Sequence, residues 1–344
     1  MGSDHRGVWH VMRRFSFWSV RAHLAMFISL LALPSMGLIV YSGLAERKAA
    51  IDDAKKECLK VVNSIASEQQ AVVAGVQQLV TALAFLPEVQ SRSIAATNAL
   101  LSELLRKNPQ YANIGIADKS GLLWASALPF EEKLSIAERK YYRDAVRTGM
   151  LSSGEYTIAK TVKKAVMNFG YPVKNASNQV IAVALDLEYA QRNFEKISLP
   201  PGSSFGLLDH RGIILIRNRQ DPFSEKLVGN RDPRQENFTR MTAREGTLEG
   251  IGNDGIPRVA AYKQMILPHE PTPYLYVRSS ITMASAISKA NTAMLMNMTA
   301  LVALYAMGLL LVWFIGKRVI VNPITRLVKA SEQLAAGAGP SLNR

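Results

Sequence analysis

The sequence predicts an α+β protein in which two tandem five-stranded antiparallel sheets follow one long helix, with a membrane-spanning helix on either side. Three observations predict it. The stretch GIADKSGLL (Gly115–Leu123) returns as GLLDHRGII (Gly206–Ile214), each an apolar run, Asp-x-x-Gly and a second apolar run. The segments 24–45 and 290–316 contain no charged residue. Between the first of these and the repeat, apolar side chains recur at alternating spacings of three and four from Cys58 to Leu86.

In chain order, the first segment is the 22 residues Leu24–Ala45 and the second the 27 residues Ala290–Gly316. About 20 apolar residues at 1.5 Å rise cross a bilayer core, so both are long enough to span. A cleaved signal peptide is the alternative for the first, with Gly43-Leu44-Ala45 as a small-residue cleavage site. Arg6, Arg13, Arg14 and Arg21 precede the first segment, and Lys317, Arg318, Arg326 and Lys329 follow the second. Short Lys/Arg-rich flanks stay cytoplasmic, which places both ends inside and Glu46–Lys289 outside. Trp9, Trp18 and Trp313 fall near the expected interfaces.

The formal net charge of +14 does not point to nucleic acid. Nine basic and two acidic residues sit in the two ends, and the remaining excess is scattered over the outer part without a long basic run. The single cysteine, Cys58, cannot close an intrachain disulfide, so the outer part is held by its core. Cys58 reads either as an inert thiol or as a cross-link between two copies.

The long helix carries Cys58, Val62, Ile65, Val72, Val76, Leu79, Leu83 and Leu86 in one narrow stripe, with Gln69 in one polar place. Such a stripe suits a coiled-coil seam, or a helix laid along its own domain. Pro87 and then Asn108-Pro109 interrupt it, because Pro lacks the N–H that the helix ladder needs. From Tyr111 the texture turns to short strands: YANIGIAD and GLLWASA as a hairpin about Asp118–Gly121, then GEYTIAK, AVMNFGYPVK and QVIAVALDL, the last two turning at Asn175–Asn178. A helical run near Ala137–Thr148 lies between the hairpin and the three strands. After Leu199-Pro200-Pro201-Gly202 the order repeats, with a hairpin about Asp209–Gly212 and the strands GTLEGIG, IPRVAAYKQMI and YLYVRSSI. Each copy therefore reads as a five-stranded antiparallel sheet with helices to one side.

Catalytic and metal chemistry find no support in the pattern. Gly202-Ser203-Ser204-Phe205-Gly206 matches G-x-S-x-G, but it follows Pro-Pro and leads into a strand, whereas the nucleophile elbow needs a strand-to-helix turn. The outer histidines, His210 and His269, make no i, i+4 metal pair, and no Gly-rich phosphate loop is present. No cofactor is expected.

The phrases AERKYYRDAVRTGMLSSGEY, YPVKNASNQVIAVALDLEYAQRNF and PPGSSFGLLDHRGIILIRN, in this order and spacing, resemble the double Cache sensor family of bacterial receptors and kinases over roughly Leu44–Lys289. The resemblance implies two PAS-like Cache modules. The expected divisions are a cytoplasmic N-terminus (1–23), a first span (24–45), the long-helix region (46–109), a membrane-distal module (110–199), a membrane-proximal module (200–289), a second span (290–316) and a partial HAMP relay (317–344). The HAMP resemblance rests on Pro323, the stripe Ile324, Leu327, Val328 and Leu334, and Glu332 with the Ala-Gly ending. An ordinary juxtamembrane helix is the alternative.

In amino-acid receptors of the family, an Arg-x-aromatic-aromatic motif in the distal module takes the ligand carboxylate and a later Asp takes the amine. By that resemblance Arg139, Tyr141 and Tyr142 match the motif and Asp186 the later acid, with Tyr156 and Tyr171 as further walls. Arg supplies the planar fork that a carboxylate needs. The family pattern has Tyr three positions before the Arg, where this sequence has Ile136, so another small carboxylate fits Arg139 as well. Asp186 also reads as a helix N-cap. The expectation is a homodimeric sensor in the bacterial inner membrane, its sensor domain in the periplasm. It would relay occupancy to a cytoplasmic output outside these residues: a histidine kinase first, then a diguanylate cyclase or chemoreceptor. The alternatives are an interaction scaffold sensing a partner protein along the seam from Cys58 to Leu86, and a tethered periplasmic enzyme.

Overall fold

The computed structural model describes residues 20–131, 133–173, 179–196, 199–218, 224–315 and 331. The basic N-terminus, the Asn175–Asn178 turn and nearly all of the HAMP-like segment lie outside the described residues. The chain divides into two compact units, Ala50–Ile287 and the two ends Met1–Ala49 with Ser288–Arg344.

Helix α1 (Val20–Ala84) is followed by the short α2 (Pro87–Gln90) and by α3 (Ile94–Lys107). The distal module then runs β1 (Tyr111–Ala117), β2 (Leu123–Ser126), α4 (Lys140–Thr148), β3 (Ser152–Ile158), β4 (Ala165–Val173) and β5 (Gln179–Asp186), closing with α5 (Leu187–Phe194). The proximal module runs β6 (Ser203–Asp209), β7 (Ile214–Arg217), α6 (Ser224–Leu227), α7 (Gln235–Thr239), β8 (Glu245–Ile251), β9 (Pro257–Met265) and β10 (Leu275–Thr282). The last helix is α8 (Met283–Ile315). The two sheets have the same antiparallel order, β2-β1-β5-β4-β3 and β7-β6-β10-β9-β8.

The repeated hairpins close in the same way. Asp118 N–H donates to Leu122 O and Gly121 N–H to Asp118 O, both at 2.9 Å; Asp209 with Ile213, and Gly212 with Asp209, do the same at 2.9 Å. The Asp118 carboxylate accepts from the Ser120 and Leu122 amides, and that of Asp209 from Arg211 and Ile213. Gly121 and Gly212 sit at φ of 81° and 76°, where a side chain would be strained.

The stripe on α1 is buried. Cys58, Val62, Ile65, Val76 and Leu83 belong to one hydrophobic cluster that reaches both sheets, through Ile114 and Ile181 in the distal module and Leu207 and Val277 in the proximal one. Lys55 pairs with Glu249 at 2.8 Å and Lys263 donates to Asn63 at 2.7 Å along the same contact. The helix therefore lies along its own domain, with Val72, Leu79 and Leu86 of the stripe half-buried. A second difference concerns the distal sheet, expected to carry helices on one side. β5 is apolar on both faces: Ile181 and Val183 join the α1 cluster, while Val180 and Ala182 pack under Tyr141, Tyr142 and Ala145 of α4. A central strand without a polar face must be covered twice.

The ends form their own unit. Large apolar side chains there, including Leu31, Leu33, Leu38, Leu295 and Leu310, are exposed, and both helices are long and apolar enough to cross a bilayer. Within this unit Ser29 Oγ and Tyr305 Oη share a hydrogen bond at 2.7 Å, and a Cβ added at Gly43 would fall 2.7 Å from the Met294 sulfur.

Candidate functional site

The distal sheet has a small cleft on the face covered by α4, about 70 Å³ in volume and open to solvent. Its floor comes from β1, β5 and β4. Asn113 and Asn168 both stand opposite Ala184 in the register, so two amides flank one alanine; Gly115 stands opposite Ala182 in the next row. Small residues at the centre of the sheet leave the depth, and the amides supply polar contacts. The Asn113 amide is held by Ser126 Oγ at 3.0 Å and Thr161 Oγ1 at 3.1 Å.

One wall is the start of α4. Arg139 is its N-cap residue, extended at φ −76° and ψ 137°, which turns the chain from the β2–α4 connection into the helix. Its guanidinium donates to Thr157 Oγ1 of β3 at 3.0 Å and lies 3.3 Å from Glu138, leaving the side chain 28% exposed. Glu138 also holds Lys160 at 3.1 Å, so three charges meet at the mouth with a net positive balance. Among the described residues no Asp or Glu lines the cleft itself.

Tyr141 forms the neighbouring wall. A Cβ at Gly170 would approach Tyr141 O to 2.6 Å and one at Gly154 would approach its ring to 2.9 Å, so these two glycines let the first turn of α4 lie directly on β3 and β4. Burial pushes the Tyr141 hydroxyl up in pKa, keeping it protonated and a donor at neutral pH.

The structure brings Arg139 and Tyr141 into one cleft and places the other four expected residues elsewhere. Tyr142 points to the hairpin and donates to Asp118 O at 2.8 Å. Tyr156 faces the proximal module: its N–H meets Asp209 Oδ2 at 3.5 Å, its carbonyl accepts from Arg211, and a Cβ at Gly229 would touch its hydroxyl. Tyr171 packs against the α1 cluster. Asp186 caps α5, accepting from the Glu188 and Tyr189 amides at 2.9 and 3.0 Å, and takes Lys164 Nζ at 3.2 Å. In register Asp186, Val166 and Thr157 form one row, so the buried Val166 stands between the acid and the threonine that holds Arg139. Two strand spacings separate them, roughly 10 Å. The amine-binding partner expected of Asp186 is thus engaged in capping, outside the cleft. Asn113, Asn168, Thr157 and Thr161 line it instead. Asn113 and Asn168 left a trace in the sequence, each a lone amide within an apolar strand; the two threonines left none.

No curated protein sequence matches the chain. Solved structures resemble it in fold. The extracellular domain rpHK1S-Z16, ascribed to a histidine kinase, superposes with a TM-score of 0.58 at 19% identity, covering 70% of this chain and 99% of that one. The ligand-binding domain of the Pseudomonas fluorescens chemoreceptor CtaA, in complex with L-isoleucine, gives 0.55 at 17% identity over 71% and 98%. That of the Pseudomonas aeruginosa PAO1 amino acid chemoreceptor PctB, in complex with L-Arg, gives 0.54 at 17% over 70% and 92%. The dCache_1 family model, described as a Cache domain, matches residues 46–290. With that match covering both sheets and the helix beneath them, the chain belongs to the dCache_1 Cache domain family.

Proposed function

We propose that the chain is a transmembrane receptor whose distal cleft binds a small carboxylate through Arg139. The observation that carries this reading is the half-buried guanidinium in a cleft that no acid among the described residues lines. Its fork offers paired N–H donors to a carboxylate, and partial burial strengthens the pair relative to water. Tyr141, Leu123, Leu134 and Ile136 wall the rest of the ligand, and Asn168 takes its polar groups.

A second reading, an α-amino acid as the ligand, is favoured by the amino acids bound in the chemoreceptor domains of like fold. Here the ammonium group meets the amide oxygen of Asn168 rather than Asp186. Both readings are tested by calorimetric titration of the full chain in lipid nanodiscs with short hydroxy and keto acids, amino acids and amines. Arg139→Ala is expected to weaken the bound acid about thirtyfold or more, the effect of removing one partner of a charged hydrogen-bonded pair. Unchanged affinity, or binding of amines alone, overturns the assignment.

The proposal extends to the membrane. The Lys/Arg-rich flanks support two spans with both ends cytoplasmic and the sensor domain outside. The receptor acts as a homodimer in the bacterial inner membrane and passes occupancy through α8 and the HAMP-like segment to a cytoplasmic output. A histidine kinase is the first choice for that output, since one of the structural neighbours comes from such a protein. Ligand shifts the equilibrium only as far as its affinity differs between the two states.

A further inference from the structure

An acid stands at the mouth of the distal cleft, next to Arg139 in the sequence. Glu138 Oε1 lies 3.3 Å from Arg139 Nε and accepts from Lys160 Nζ at 3.1 Å. Among the described residues, Arg139 and Lys160 are the two cations that line the cleft. One carboxylate oxygen therefore engages both of them. Partial burial opposes ionisation of Glu138, but its own backbone N–H and the Lys160 and Arg139 cations outweigh it. They hold its pKa below the ordinary glutamate value, so the group is a carboxylate at neutral pH.

The guanidinium geometry makes this contact a competing one. Thr157 takes a hydrogen of Arg139 Nη1. The edge formed by Nε and Nη2 is a fork that binds a carboxylate with two parallel bonds. Glu138 already stands at the Nε end of that edge. Lys160 adds a tie across the mouth. It belongs to the β3–β4 connection, and it donates to Ser135 O at 3.3 Å as well as to Glu138, both on the β2–α4 connection. The cleft it crosses holds about 70 Å³, whereas sites that enclose a small molecule run to about 300 Å³ and more, so the mouth has to widen for a ligand. The Glu138 side chain is 56% exposed, and exposed ion pairs are weak enough to exchange.

We propose that Glu138 is a built-in competitor of the ligand: its carboxylate holds Arg139 and Lys160 until the carboxylate of a small acid displaces it. This inference rests on the proposed carboxylate site and adds its regulation. Glu138 sets a threshold that an incoming acid must exceed, and its departure releases the Lys160 tie across the mouth. A free amine gains nothing from the exchange, because it would meet the same two cations.

The test is calorimetric titration of the full chain in nanodiscs with lactate, pyruvate and L-alanine. Glu138→Gln, which removes the competing charge, is expected to bind lactate or pyruvate about threefold or more tightly than the wild type. Glu138→Asp keeps the charge but is one methylene shorter, and is expected to show part of the same gain. A gain in the Gln variant with none in the Asp variant would reduce Glu138 to a distant like charge and overturn the proposal. So would unchanged or weaker acid binding in Glu138→Gln while Arg139→Ala abolishes it, a result that leaves the Arg139 site standing. Weaker binding of L-alanine alone in Glu138→Gln would make Glu138 the ammonium partner and overturn it too. No binding by either the wild type or Glu138→Gln, or binding unaffected by Arg139→Ala, removes the carboxylate site and this inference together.

Discussion

A single side chain in this protein often serves two elements. Arg139 ends a loop as the N-cap of α4 and, from that position, reaches Thr157 on β3. Cys58 shows the opposite case, a reactive group made inert by its surroundings. It is 5% exposed beneath β9, its Sγ 3.8 Å from Val259 O, and burial pushes its pKa from 9.0 up to about 11. At neutral pH it is a buried neutral thiol, and thiolate is the form that alkylates or forms disulfides. The native chain is therefore expected to resist iodoacetamide and to react fully only once unfolded, as read by mass spectrometry. The sign of the pH effect follows from linkage. The folded state holds the proton more tightly, so this contribution to stability is complete below about pH 9 and is lost as pH rises through 11. Thermal melts from about pH 8 to about pH 10.5 are expected to fall more steeply for the wild type than for Cys58→Ala. Equal slopes would show that the thiol does not titrate differently on folding.

Among the elements, the two modules are joined by polar contacts that enter the distal one at β3. The second Asp-x-x-Gly turn braces that strand from below, with Arg211 and His210 against Glu155 at 3.4 and 3.6 Å and Asp209 beneath Tyr156. A second tie comes from the β9–β10 connection. Glu270, whose side chain is 5% exposed, accepts from Ser153 N at 2.7 Å and pairs with Lys140 in the first turn of α4 at 3.3 Å. Lys140 follows Arg139 directly, so this contact fixes the wall of the distal cleft to the proximal module. Removing one partner of a buried pair leaves the other charge uncompensated. Glu270→Ala is expected to destabilise the domain by about 3 kcal/mol in chemical denaturation and to speed hydrogen exchange at the Ser153 amide. Glu270→Gln, which keeps an acceptor for that amide, is expected to lose less. Exchange that stays unchanged in both variants would mean that Ser153 is protected by β4 alone.

At the scale of the whole molecule, a folded domain with a buried core sits in one chain with two helices whose apolar side chains are exposed. Exposure of that extent is unfavourable in water and natural in lipid. The proposed topology has a direct chemical test. In intact spheroplasts a membrane-impermeant maleimide is expected to label Lys119→Cys, in the exposed distal turn, and to label Ser331→Cys only after lysis. The buried native thiol gives little background in either case. Labelling of Ser331→Cys in intact cells would reverse the orientation.

Sequence alone determined the features that repeat locally. The two apolar segments, the stripe on α1, the strand textures and the paired Asp-x-x-Gly turns are carried by periods of 3.6 and 2 and by turn residues, which need no knowledge of distant contacts. Arg139 and Tyr141 are expected from the resemblance to the family motif rather than from any local period, and both line the distal cleft. Tertiary structure decided what depends on pairing between strands. Asp186 and Arg139 follow each other in the expected order, yet register puts Val166 between the acid and the cleft. Gly115 and Gly206 occupy equivalent places in matched hairpins, yet their strand neighbours make one floor neutral and the other cationic. The physical reason is that side-chain direction along a strand is fixed by the chain, whereas the side chain standing next to it is fixed by hydrogen bonds to residues far away in sequence.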